Sequence, residues 1–186
     1  MRLLLATLVL VLSCALALGG CAPTEDPKLS SEELSQASAT VEQLMESVKA
    51  KDALVIAPLL QGVYLDTESA GLSLEDFISS FFEGFGFQIV SSEALDESTA
   101  SIGVTLTTRD GEKVMALLGD AYQSIYETGA LSPDYAAVWE ETAPATFENP
   151  YFVVAEKEGE GWTITQRASL GAALLGGFDP RQLYSD

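Results

Sequence analysis

The sequence predicts an α+β domain of helices and antiparallel strands, with a helical insertion between two hairpins. Three observations carry this prediction. Leu34, Ala37, Val41, Leu44, Met45 and Val48 recur at helical spacing. Between Ser98 and Thr108 the period changes to two: Ala100, Ile102, Val104 and Leu106 share one face, Ser101, Gly103, Thr105 and Thr107 the other. All connections are short enough for antiparallel pairing, whereas a doubly wound sheet needs a long crossover between strands.

Taken in order, Ser30 with Glu33 forms a capping box that opens the first helix, which runs to about Ala50. Asp52 can cap a shorter helix through Ala53–Ala57, where Pro58 kinks it or sits in its first turn and Gly62 is a stop. Ser73 and Asp76 open a third, whose Phe77, Ile78, Phe81 and Phe82 make an apolar face and which Gly84 and Gly86 end. Phe87–Val90 is strand-like, and the polar Ser91–Glu97 link joins it to Ser98–Thr108 as a hairpin. After Asp110-Gly111 a long helix places Val114, Leu117, Leu118, Ala121, Tyr122, Ile125 and Tyr126 on one stripe, with Gly129 at its C-terminal end. Ser132-Pro133 starts a short helix carrying Tyr135, Val138 and Trp139. Tyr151–Ala155 and Trp162–Thr165 flank Glu158-Gly159-Glu160-Gly161 as a second hairpin, and Leu170–Leu175 forms a last short helix before Gly176-Gly177.

Composition narrows the function. The chain of 186 residues has 9 Lys+Arg against 28 Asp+Glu, a net charge of −19, no His and 2 Cys. A hydrophobic content of 47% argues for a packed core and against a disordered acidic tail. The charge repels phosphate backbones, so no nucleic-acid partner is expected. Without His, Ser-His-Asp and Cys-His catalysis and imidazole metal sites are excluded.

Met1-Arg2 precedes an apolar run from Leu3 to Leu18, a secretory-signal pattern shorter than the roughly 20 residues of a spanning helix. The run ends in Leu18-Gly19-Gly20-Cys21, which resembles the bacterial lipobox: an apolar residue, two small residues and a cysteine. That resemblance implies cleavage between Gly20 and Cys21, a diacylglyceryl thioether on Cys21 and acylation of the new amino terminus. It divides the chain into a signal peptide (1–20), a lipidated tether (21–29) and a single α+β domain (30–186). It implies a membrane-anchored protein on the extracytoplasmic face of the cell envelope. Two acyl chains make a stable anchor where one is marginal. Cys14 lies in the discarded segment, so no free thiol or disulfide is expected in the mature chain.

The Phe81-Phe82 segment, the Ser98–Thr108 strand and Gly161-Trp162-Thr163-Ile164 resemble the cystatin-like or nuclear-transport-factor-two-like cone, which implies N-terminal helices packed on a curved, cone-like antiparallel sheet, and more narrowly uncharacterised bacterial lipoproteins with that fold. Members with isomerase or dehydratase activity use acidic or tyrosine groups in the cone cavity. The resemblance therefore makes Tyr64, Asp66, Tyr122 and Tyr126 candidates for such a cavity, with Glu127 beside them. Tyr122 and Tyr126, four apart, share a helical face. Phe81, Phe82, Phe85, Phe87, Tyr135 and Trp139 form a groove if exposed and core if buried. Asp110-Gly111-Glu112 and Asp96-Glu97 lack the alternating oxygen ligands of a calcium loop, so neither metal nor cofactor is expected. The preferred function is a non-catalytic binding or interaction module. A carboxylate-based isomerase or hydrolase and a structural partner in an envelope complex are the alternatives. Given the charge, the expected ligand is neutral or cationic: a small molecule, a peptide or an envelope protein.

Overall fold

The computed structural model describes residues 28–60, 73–128 and 135–177. Its elements are α1 (Ser31–Lys49), α2 (Ala53–Leu60), α3 (Leu74–Phe81), β1 (Gly86–Ala94), β2 (Thr99–Thr108), α4 (Gly111–Thr128), α5 (Tyr135–Glu141), β3 (Ala145–Thr146), β4 (Tyr151–Glu158), β5 (Gly161–Ile164) and α6 (Arg167–Leu174). This is the α+β class expected: helices with one open antiparallel sheet, ordered β1-β2-β4-β5, with β3 pairing to the end of β2.

Local chemistry sets the helix starts. The Ser30 hydroxyl accepts from the Glu33 N–H, and the Glu33 carboxylate accepts from the Ser30 N–H at 2.8 Å, so two otherwise orphaned donors are satisfied reciprocally. Ser73 caps α3 in the same way, accepting from the Asp76 N–H at 3.0 Å. Asp110 accepts from the Lys113 N–H at 3.0 Å at the head of α4.

The core lies between the sheet and α1. One stripe of α1, Ala37, Val41, Met45 and Val48, is fully buried and faces Ala100, Ile102, Val104 and Leu106 of β2 with Val153 and Ala155 of β4. α1 touches β1, β2, β4 and β5, so it lies across the width of the sheet. The phenylalanines close one end. Phe77 and Phe81 stack at 5.3 Å, and edge contacts of 5.2 Å and 5.7 Å continue the series to Phe82 and Phe85. All four are buried, and each contributes about 1.5–3 kcal/mol of hydrophobic stabilisation. Phe87 is half-buried beneath Lys49, so the aromatic groove considered from the sequence is core where it is described.

Three boundaries differ from expectation. β1 does not stop at Val90 but runs to Ala94, because a bulge between Ile89 and Ser91 lets the polar Ser91, Ser92 and Glu93 continue the ladder opposite Gly103, Ile102 and Ser101. An edge strand tolerates polar residues that a central strand does not. A Cβ on Gly103 would fall 2.4 Å from Ser91 Oγ and 3.3 Å from the Phe152 ring, which lies over the glycine from the next strand, so a larger residue there displaces the Ser91 side chain. The two-residue β3 was not anticipated, and α6 begins at Arg167, three residues before the apolar stretch that suggested it.

Candidate functional site

An open groove of about 400 Å³ lies where α1, α2, β5 and the start of α6 meet. α1 supplies Thr40, Gln43, Leu44 and Ser47, a helical face adjoining its buried stripe. From α2 come Leu54, Val55, Pro58 and Leu59. Pro58 has no N–H for the Leu54 carbonyl, which loses its intrahelical donor. The Leu54 side chain is 88% exposed, so the α2 wall offers uncovered apolar surface. Trp162, Thr163 and Ile164 of β5 form the opposite wall, with the exposed Arg167 at the start of α6.

The packing of α6 on α2 holds this geometry. A Cβ on Gly171 would lie 2.2 Å from the Leu59 carbonyl oxygen, so only glycine allows the two helices to approach this closely. β5 is an edge strand, paired on one side to β4 through Trp162 opposite Lys157 and Thr163 opposite Glu156. Among the described residues no aspartate or glutamate lines the groove. Two carboxylates bond to lining residues from outside it: Asp52 accepts from the Leu54 N–H at 3.0 Å and Glu158 from the Thr163 hydroxyl at 3.0 Å. The Trp162 indole N–H is closed off from water and has no acceptor among the described residues. Such a donor costs about 1–3 kcal/mol while unsatisfied.

A smaller cavity, about 220 Å³, lies between the approach to β4 and the end of α6, lined by Leu106, Phe147, Pro150, Tyr151 and Ala173 among others. Burial pushes the Tyr151 phenol up, partly offset by its hydrogen bond with Ser169.

A second polar centre is interior. The Arg109 side chain is 5% exposed. Its guanidinium donates to the carbonyls of Ser80 (3.2 Å), Trp139 (2.6 Å) and Thr142 (2.6 Å), and it lies 5.7 Å from the Trp139 ring. These are carbonyls at the C-terminal ends of α3 and α5, where the helix dipole favours a cation. Desolvation draws the Arg109 pKa down, and Glu83 opposes the shift.

The candidates from the sequence are placed unevenly. Gly20, Cys21, Tyr64 and Asp66 lie outside the described residues, as do the side chains of Tyr122 and Tyr126 on α4. Trp139 is half-buried, edge-on to Phe77 at 6.4 Å, and lines neither cavity. Sequence reasoning missed Arg167, Leu54 and the groove role of Trp162. The signal available was weak: an exposed leucine before a helical proline, and an arginine just beyond an edge strand. Among the described residues no cluster of His, Cys, Asp or Glu could hold a metal, and no helix is long and apolar enough to cross a membrane. The described carboxylates with clear shifts, Glu33, Glu83 and Asp96, are all held low by hydrogen bonds, opposite to what a general acid requires.

No family model matches the chain, and no curated protein matches it. Among solved structures it is similar to the lipoprotein candidate ycdA of Bacillus subtilis subsp. subtilis str. 168, at 16% identity and a TM-score of 0.38. That match covers 81% of this chain and 50% of the other, so the chain spans about half the length of the protein it matches.

Proposed function

We propose that the protein is a membrane-anchored lipoprotein of the cell envelope whose α+β domain serves as a non-catalytic binding module. The groove between α1, α2 and β5 carries the binding part of this reading. At about 400 Å³ it falls in the size range of small-molecule sites, and it combines an uncovered apolar wall with a few polar groups. The anchor rests on Leu18-Gly19-Gly20-Cys21 at the end of the apolar run. Under this reading the acyl chains on Cys21 hold the protein at the extracytoplasmic face, and the acidic body stands off an anionic lipid surface.

The anchor is tested by metabolic labelling with a fatty-acid analogue. The wild-type chain takes up label and loses residues 1–20, whereas Cys21→Ala remains unlabelled and uncleaved. Equal labelling of the two overturns the anchor. Native mass spectrometry of the chain starting at Ala22 tests the binding role. That chain keeps every described element, because the described core lies within residues 28–177. A stoichiometric small-molecule adduct that disappears on denaturation supports a binding module. A clean mass, unchanged across a panel of apolar small molecules, redirects the search to a protein partner.

A further inference from the structure

Two donors at this groove, one buried behind its lining and one exposed at its mouth, lack acceptors among the described residues. Trp162 Nε1–H has no partner. Lys49, Lys51 and Lys157 each meet a carboxylate, but Arg167, exposed at the groove mouth, makes no ion pair or hydrogen bond among the described residues. The N-cap of α6, Gln166, makes no side-chain cap bond, so the first N–H groups of the helix beginning at Arg167 also lack that partner. In a chain with 28 acidic residues, this groove has a cation at its mouth and no carboxylate among its described lining residues. Its other wall is apolar, with Leu54 uncovered.

We propose that the groove binds a small amphiphilic carboxylate. The apolar body of the ligand lies along Leu54, Val55 and Pro58, and its carboxylate pairs with Arg167. The inference rests on the binding-module reading above and names its ligand class. The sign is opposite to that expected from net charge alone. The Debye length is about 8 Å at physiological ionic strength, so distant surface carboxylates are screened while a guanidinium in contact with the ligand is not. A charge-assisted hydrogen bond in such a site outweighs that residual repulsion.

The test uses the chain starting at Ala22 with Trp139→Phe, which leaves Trp162 as the sole tryptophan of the 2 in the sequence. Decanoate, decanol and decyltrimethylammonium are titrated while Trp162 emission is followed. Decanoate is expected to produce a saturable change and to bind roughly tenfold or more tightly than the other two, the discrimination of a charge-assisted hydrogen bond. Arg167→Gln brings decanoate to the affinity of decanol, leaves decanol binding unchanged and leaves the thermal unfolding midpoint unchanged. Calorimetric titration with Trp139 intact supplies the same comparison if the Phe variant folds poorly. Equal or tighter binding of decanol or the ammonium probe overturns the carboxylate assignment while the binding module stands. Decanoate binding that ignores Arg167→Gln overturns the placement. Failure of all three probes to bind removes the groove as an apolar-ligand site, and with it the binding module's structural support.

Discussion

Two arginines contrast a cation that holds the fold with one proposed to meet a ligand. Arg109 is buried, and its guanidinium is surrounded by the carbonyls of Ser80, Trp139 and Thr142. Arg167 is exposed beside an apolar groove with no described partner, and the nearby Trp162 N–H likewise has none. The first cation is held through Nε and Nη1 by carbonyls at helix C-termini, and it ties α3 to α5. The second makes no bond among the described residues and lies beside an apolar wall.

The largest expected effect breaks the structural side of this comparison. Arg109→Met removes the shared donor and strands buried carbonyls, at a cost of about 2–4 kcal/mol. For a chain of this size that lowers Tm by about 5–12 °C in a thermal melt followed by circular dichroism. A melt within a degree of wild type would show that water or another donor replaces the guanidinium. Arg167→Gln, by contrast, is expected to leave the melt alone and change only ligand binding. If both arginine variants destabilise equally, the distinction fails.

The smallest effect concerns a third kind of cation, the half-exposed Lys157. It pairs with Glu33, whose own capping box with Ser30 adds further bonds. The Glu33 carboxyl is lowered to about 2, chiefly by the Lys157 hydrogen bond and then by those from Ser30. A folded-state pKa below the unfolded value contributes stability above the unfolded pKa and loses it as pH falls through the folded one. Glu33→Gln keeps the capping geometry and removes only the charge. The Tm advantage of wild type over this variant is therefore expected at neutral pH, shrinking between about pH 4.5 and pH 2 and gone below it. The pair is solvent-accessible on both sides, so the advantage is small and salt-sensitive. An advantage that persists unchanged at pH 2 would place its origin elsewhere.

Much of the fold was legible because it depends on neighbours in sequence. The caps at Ser30 and Ser73 act over three residues, the stripe of α1 over one turn, and the alternation of β2 over two residues. The end of β1 was not legible, since its polar half reads as a link until the bulge and β2 supply ladder partners. The start of α6 was equally hidden, because Gln166 makes no side-chain cap bond to mark it. The candidate site was legible least. Trp139 stood out as an aromatic in a short helix, yet its surroundings are Phe77 and Arg109, from elements far away in sequence.

By itself the sequence determined the acidic surface, the absence of imidazole chemistry, the lipobox resemblance at Cys21 and the positions where most helices begin. Each follows from composition or from contacts within a few residues. Tertiary structure alone decided the strand order, the destination of Arg109 and the meeting of Thr40, Leu54, Trp162 and Arg167 at one groove. The physical reason is that backbone capping and hydrophobic periodicity act locally, whereas a groove exists only where distant elements pack side by side. Whether a donor is saturated or unused depends on which carbonyls that packing brings within hydrogen-bond reach.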